Sequence, residues 1–305
     1  MISPLDMCMF LKEKLKLYNV LLLNACLKIL RTIFDFSAEI IGPKSQALET
    51  KNFEINGLKY KIYQPLTNHI LPVIIYYHGG GWMVGSIKAY DRIMQYISFK
   101  AQAVVVGVEY RKAPEHKISV TLLDAKLAYF WVINNLKLIG GNKNKIAIVG
   151  DSAGGHIAIN LWHKIHRLNI VKPKLMALIY PVVDLNIHEL RLMKKHNSFL
   201  IRKLGVCILL YVLRHNIGGL KKINFAFTFK YSNKIKYPKV FLMTAQIDPL
   251  THSIEKFGKK LKKAGCTVLY KHYPKTIHGF INFAGVSKIA AQALEDLVIF
   301  LKNNL

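Results

Sequence analysis

Apolar residues along this chain form short continuous runs that alternate with longer stretches of helical period. Uninterrupted runs of about four to eight apolar residues are typical of strands buried on both faces of a sheet. Six runs predict such strands: Pro72–Tyr77, Ala103–Tyr110, Lys145–Val149, Leu175–Pro181, Lys239–Ala245 and Thr267–Pro274. Five segments predict helices: Lys88–Lys100, Leu122–Leu138, His156–Leu168, Ser253–Ala264 and Val286–Leu301.

This alternation predicts an α/β fold with a mostly parallel central sheet and helices on both faces. Asn56-Gly57 lies between two alternating stretches, which predicts a hairpin at an antiparallel edge. The alternation breaks over 184–237. We expect this segment, together with residues 1–45, to form a helical cap over the carboxyl ends of the strands, and residues 46–305 to form the main domain.

The N-terminal region is apolar but does not have the pattern of a membrane span. Lys16, Asn24, Lys28 and Arg31 interrupt it, whereas a spanning helix needs about 20 mostly apolar residues. A basic start and a small-residue cleavage site are also not clear, so a signal peptide is not indicated. The four cysteines are scattered, without the spacing of a disulfide framework or a metal site, which suits a reducing compartment. The sequence therefore predicts a cytoplasmic protein.

The chain of 305 residues carries a formal charge of +27. Two explanations remain open. The lysines belong to a solvated surface produced by coding bias, or they form a basic face that makes peripheral contact with an anionic membrane. Nucleic acid is not expected as a partner, because zinc-finger spacing, RNA-binding aromatic signatures and recognition-helix patterns were not found. The oligomeric state is left undetermined.

Candidate chemistry begins at Ser152, between a predicted strand and a predicted helix. The sequence Gly150-Asp151-Ser152-Ala153-Gly154 is G-x-S-x-G in the strand–turn–helix context that presents a serine on a sharp turn. The helix N-terminus behind it favours developing negative charge. The alternative is a glycine-rich turn with a bystander serine, and the context makes that alternative weak.

A second glycine-rich stretch, His78-Gly79-Gly80-Gly81, follows the first buried strand. Backbone N–H groups in such a loop can hold the oxyanion of a tetrahedral acyl intermediate. A phosphate loop is disfavoured because its Lys and Ser/Thr are missing.

A serine nucleophile needs a base, and the base needs an orienting carboxylate. Asp248 and His278 follow two later strands in the order acid, then histidine. Both are therefore predicted at the same edge of the sheet as Ser152.

At this point the chain resembles the hormone-sensitive lipase family of serine esterases, which have the α/β-hydrolase fold. The matching stretches are HGGGWMVGS (78–86), VEYRKAPEH (108–116), GDSAGG (150–155), DPL (248–250) and HGF (278–280). The resemblance implies Ser152 as nucleophile, His278 as base and Asp248 as its orienting acid, with no cofactor and no metal. It also implies the oxyanion-hole amides Gly80, Gly81 and Ala153, and the supporting residues His78, which braces the glycine loop, and Asp151.

Three points stay open at this stage. The same triad could hydrolyse amides or remove acetyl groups, and a non-catalytic binding protein of this fold is a weaker possibility because His278 is present. His156, His163 and His166 share one predicted helix, where a solvated basic face is favoured over a metal site. Acyl-chain preference is poorly constrained, because the segment 184–237 matches the family only loosely; short to medium chains are expected.

Overall fold

The computed structural model describes residues 25–37, 39–44, 46–183 and 235–305. Eight strands form one sheet in the order β1-β2-β4-β3-β5-β6-β7-β8. Their bounds are β1 Glu49–Ile55, β2 Leu58–Gln64, β3 Leu71–Tyr77, β4 Val104–Glu109, β5 Gly141–Asp151, β6 Leu175–Ile179, β7 Lys239–Ile247 and β8 Val268–Ile277. The helices are α1 Asp91–Ala101, α2 Ile118–Asn134, α3 Ala153–Ile165, α4 Thr251–Lys263 and α5 Lys288–Asn304, with a 3₁₀ turn at Phe280–Phe283.

The sheet is parallel from β4 to β8, and β1 and β2 add an antiparallel edge. Asn56 and Gly57 both have positive φ, at 52° and 76°, as a two-residue type I′ turn requires. The predicted hairpin, the mostly parallel sheet and the α/β-hydrolase fold class are confirmed.

The connections place helices on both faces. From β3 through α1 the chain moves outward to β4, and through α2 it crosses back over β3 to β5. Because both crossovers are right-handed by the general rule, the reversal of direction puts α1 and α2 on opposite faces. α1 packs with α5, and α2 packs with α3. The central strands are buried on both faces, which explains why they are continuous runs of Val, Ile and Leu.

Three predicted boundaries were wrong by four residues: both ends of α2 and the start of β5. α2 begins at Ile118 and ends at Asn134, not at 122 and 138, because Asn135 is its C-cap and the apolar residues beyond it form a turn. β5 begins at Gly141 rather than Lys145, because Gly141 pairs with Leu71 of β3. Polar residues at the exposed start of a strand carry no apolar signal.

The N-terminal helical segment, residues 25–37 and 39–41, packs against the domain through Leu27 and Phe34. Its opposite side exposes Ile29, Ile33, Phe36 and Ile40, each about 60% accessible. The remainder of the predicted cap, residues 1–24 and 184–234, lies outside the described residues. In the described part of the chain, no helix has both the length and the apolar character needed to cross a membrane.

Candidate active site

The turn that carries Ser152 is set by close backbone packing between β5 and α3. Ser152 has φ 53° and ψ −115°, a strained conformation for a residue with a side chain. A Cβ on Gly150 would lie 2.3 Å from the Gly154 carbonyl oxygen, and one on Gly154 would lie 1.9 Å from the Tyr77 carbonyl oxygen. Both positions therefore require glycine. The Ser152 amide donates to the Ile179 carbonyl at 2.9 Å, which ties the turn to β6.

Ser152, His278 and Asp248 come together at the carboxyl edge of the sheet, as predicted. Ser152 Oγ lies 2.7 Å from His278 Nε2. His278 Nδ1 lies 2.7 Å from Asp248 Oδ2, whose side chain is fully buried. The second oxygen of Asp248 accepts the Leu250 amide at 2.9 Å. His278 follows β8 directly and its ring packs against that of Tyr180, with centroids 4.9 Å apart. A buried carboxylate, an imidazole and a hydroxyl thus form one continuous chain of hydrogen bonds.

Two backbone N–H groups of the glycine loop after β3 point away from the carbonyl groups that precede them. His78 Nδ1 donates to the Gly79 carbonyl at 2.8 Å, and the Gly80 carbonyl accepts the amides of Met83 and Val84. In a planar trans peptide the C=O and the following N–H point in opposite directions. The N–H groups of Gly80 and Gly81 therefore point to the other side of the loop. Gly80 has φ 114°, and a Cβ there would lie 2.2 Å from the Val84 carbonyl oxygen, so this path requires glycine.

A third amide, that of Ala153, opens α3 and has no acceptor within its own helix. No acceptor is found among the described residues for the amides of Gly80, Gly81 or Ala153. The Gly79 amide is different, because it donates to Asp151 Oδ1 at 2.7 Å. Three of the four amides thus remain available to a ligand, and they are the three amides that the family resemblance implies for the oxyanion hole.

Asp151 is hydrogen-bonded to the glycine loop and to two tyrosine hydroxyls. Its carboxylate is buried and accepts the Gly79 amide, the Tyr90 hydroxyl at 2.8 Å and the Tyr76 hydroxyl at 3.3 Å. Tyr90 also accepts from Asn282 at 3.5 Å, in the turn after His278. Burial raises the pKa of the Asp151 carboxyl to about 6, while the hydrogen bonds from Tyr90 and Gly79 oppose that rise. Burial likewise raises the pKa of Tyr76 and Tyr90 well above the ordinary value, so both stay neutral donors.

The side chain of His78 contacts the backbone of the glycine loop. It is buried, it stacks on Tyr110 with ring centroids 4.3 Å apart, and Tyr110 donates to its carbonyl at 2.7 Å. Burial lowers the pKa of His78 to about 4, so the imidazole is neutral near pH 7. We assign its proton to Nδ1, because the Gly79 carbonyl beside that nitrogen can only accept.

The expected solvated basic face of α3 was wrong for two of its three histidines. His156 is buried edge-on against Trp82, and burial lowers its pKa to about 3. His163 Nε2 lies 2.5 Å from the Tyr237 hydroxyl, and burial lowers its pKa to about 4. His166 turns back to the His163 carbonyl at 3.0 Å. Within the described ranges, no three His, Cys, Asp or Glu side chains are grouped as a metal ion needs.

Sequence reasoning missed the tyrosines around Asp151 and the contacts of Arg31. Tyr76 is in the strand that leads to the glycine loop and Tyr90 just precedes α1, so only the fold brings them to Asp151. The sequence marks Arg31 only as a charge that interrupts the N-terminal apolar region. In the structure its guanidinium donates to the carbonyls of Met83 and Ala113 and to Glu115.

This sheet, with a serine on its sharp turn and a histidine and an acid at neighbouring strand ends, defines a hydrolase of the α/β class. A family model described as alpha/beta hydrolase fold matches residues 74–282, more than half of the chain. The chain therefore belongs to the α/β hydrolase family.

Known relatives place the chain among the carboxylesterases of that family. It is 29% identical to the carboxylesterase NlhH of Mycobacterium tuberculosis, over 82% of this chain and 80% of that protein. It is 27% identical to an arylesterase of Saccharolobus solfataricus, over 81% of each. Among solved structures, the hyperthermophilic esterase from the archaeon Pyrobaculum calidifontis has a TM-score of 0.80 at 27% identity, over 91% of this chain and 93% of that one. The chain is thus a hydrolase of the carboxylesterase type.

Proposed function

We propose that the protein is a serine carboxylic ester hydrolase of the hormone-sensitive lipase kind, working through an acyl-enzyme on Ser152. The observation that carries the proposal is the continuous contact from Asp248 through His278 to the Ser152 hydroxyl, with both distances 2.7 Å. The three available amides beside that hydroxyl add the second requirement, a place for a negative oxygen.

In the acylation half, Ser152 Oγ attacks the ester carbonyl carbon and His278 Nε2 takes the serine proton. The carbonyl oxygen becomes an oxyanion and accepts hydrogen bonds from Gly80, Gly81 and Ala153. Asp248 stabilises the imidazolium that forms and keeps the Nδ1 proton in place. His278 then gives its proton to the leaving alcohol as the carbon–oxygen bond breaks.

The deacylation half repeats these roles with water. His278 removes a proton from a water molecule, whose oxygen attacks the acyl carbon, and the same amides hold the second oxyanion. Collapse returns the proton to Ser152 Oγ and releases the carboxylic acid. Atoms and charges balance within the triad, and the scheme needs no cofactor.

Selectivity in this proposal belongs to the cap, formed by residues 1–45 and 184–237. The described part of that cap supports the assignment. The N-terminal helical segment packs beside the glycine loop, where its Leu27 contacts Met83. We propose short to medium acyl esters or small lipids as substrates. Amide hydrolysis or deacetylation by the same triad is the alternative outcome of a substrate survey.

We also propose a cytoplasmic enzyme that touches anionic membranes. The exposed stripe of Ile29, Ile33, Phe36 and Ile40 could enter the lipid interface, with exposed cations such as Lys28 beside it. Arg31 of the same segment is not counted among these cations, because its guanidinium is bound to Glu115. The lysines of residues 1–24 and 184–234, which this proposal adds to the basic face, lie outside the described residues.

The decisive experiment compares wild type with Ser152→Ala on p-nitrophenyl butyrate and the matching anilide. Loss of the nucleophile should lower kcat by about 10⁴-fold or more, because only the oxyanion donors and substrate binding remain. Ser287→Ala, which removes a serine from the start of α5, is the matched control. Mass spectrometry after treatment with a phosphonate should find the adduct on Ser152. Equal turnover by wild type and Ser152→Ala would end the proposal.

A further inference from the structure

One side chain of the N-terminal helical segment, Arg31, is hydrogen-bonded to residues beside the glycine loop. Arg31 Nε donates to the Met83 carbonyl at 2.8 Å, and Nη2 donates to the Ala113 carbonyl at 3.1 Å. The same guanidinium pairs with both oxygens of Glu115, at 2.7 and 2.9 Å. Four hydrogen bonds from one planar fork fix both the position and the rotation of this group.

The carbonyls that Arg31 holds belong to the frame of the oxyanion loop. The Met83 amide closes the turn on the Gly80 carbonyl at 3.1 Å, and the Ala113 amide donates to the Trp82 carbonyl at 2.8 Å. Arg31 therefore holds the same two residues from their carbonyl sides. Leu27, one helical turn before it, is buried against Met83 and Ala113. The loop is thus clamped between the N-terminal helical segment and the 113–115 turn.

Such a clamp matters because the loop has little rigidity of its own. Gly79, Gly80 and Gly81 follow one another, and glycine loses more conformational freedom on ordering than any other residue. The direction of the Gly80–Gly81 peptide depends on the turn that Met83 and Val84 close. A rotation of that peptide would turn the Gly81 N–H away from a developing oxyanion.

We infer that Arg31 is a positioning residue for ester hydrolysis: by holding Met83 and Ala113 it fixes the direction of the oxyanion-loop amides. The inference rests on the proposed function. It assigns part of the catalytic rate to the N-terminal helical segment, in addition to selectivity. A half-exposed ion pair by itself contributes little to stability, so the consequence belongs to kcat more than to folding.

The test uses the full chain with Arg31→Ala, Arg31→Lys and the control Lys44→Ala, which removes one positive charge from an exposed position just after the same segment. We measure kcat and KM on p-nitrophenyl butyrate and the inhibition constant of a trifluoromethyl ketone, whose adduct places an oxyanion in the hole. Arg31→Ala should lower kcat about tenfold, less than the ~10²-fold cost of losing one donor outright, with KM within twofold. The inhibition constant should rise by the same factor as kcat/KM falls.

Arg31→Lys should be intermediate, because a lysine can keep one of the contacts but not the fork. Lys44→Ala should match wild type. The inference is overturned if Arg31→Ala matches Lys44→Ala in kcat, or if its defect lies in KM while the ketone binds as in wild type. If Arg31→Ala does not fold, Arg31→Lys decides by the same criteria. Absence of Ser152-dependent hydrolysis in wild type overturns the proposed function and this inference together, whereas normal wild-type hydrolysis with an unaffected Arg31→Ala overturns this inference alone.

Discussion

Replacing Asp151 with asparagine should change how the stability of the protein depends on pH. Asparagine has nearly the same shape, and its carbonyl oxygen can still accept the Gly79 amide that Asp151 Oδ1 accepts at 2.7 Å. Its amide group can donate to the Tyr90 hydroxyl, which is able to accept. The substitution therefore removes a buried charge and a titration while it keeps the volume and most of the contacts.

The magnitude follows from the pKa of Asp151, which burial raises from 3.8 to about 6. Since the unfolded chain loses this proton first, the folded state binds more protons between pH 4 and 6. The contribution of Asp151 to the free energy of unfolding is therefore most favourable below about pH 4, and it is lost as the pH rises towards 6. Each pKa unit corresponds to about 1.4 kcal/mol, so the full loss is about 3 kcal/mol. Asp151→Asn does not have this loss.

Urea unfolding of both proteins at pH 4, 5, 6, 7 and 8 measures the effect as a difference. The free energy of unfolding of Asp151→Asn minus that of wild type should rise by about 2.5 kcal/mol from pH 4 to pH 8, with most of the change below pH 6.5. Glu54→Gln, which removes one charge from the exposed strand β1, controls for general effects of charge. A difference that is flat with pH, or that falls as the pH rises, would refute the account of Asp151 as a carboxylate whose charge is costly to bury.

Two further predictions follow from backbone packing and from the exposed apolar stripe. Gly154→Ala should destabilise the fold by more than about 3 kcal/mol in thermal or urea unfolding, because its Cβ would meet the Tyr77 carbonyl oxygen at 1.9 Å. Gly265→Ala, at φ 76° but in open space, should cost only about 1 kcal/mol; equal losses would contradict the packing argument. Wild type should pellet with phosphatidylglycerol vesicles at low salt and much less at high salt or with neutral vesicles. Ile33→Ser should weaken that binding and Leu66→Ser, 75% exposed outside the stripe, should not; negligible pelleting with both vesicle types would remove the membrane proposal.

The predictable parts of the fold were those in which one element carries its own signal. The buried parallel strands could be located within a few residues because each is a continuous apolar run, and the serine turn because its glycines are needed locally. The placement of Asp248 and His278 at one edge of the sheet could also be predicted, because each follows directly after a parallel strand.

What the sequence could not show were contacts that join distant elements. His156 looked like a polar residue on an exposed helix face, but α3 starts directly under the site and its first turn is buried on all sides. Asp151 meets Tyr90 across 61 positions of the chain, and Arg31 meets Glu115 across 84. No periodicity relates such pairs, so their partners follow only from the packed structure.

The carboxylate of Asp151 also makes substitutions around the site mutually dependent. It joins the amide of the glycine loop to Tyr90, and through Tyr90 to Asn282 in the turn after His278. A change at Tyr90 alters what Asp151 can do for Gly79, so the free-energy costs of changes at these positions will not add. In evolutionary terms, Tyr90, Asp151 and Asn282 form one unit of variation: the effect of replacing any one of them depends on the residues at the other two positions.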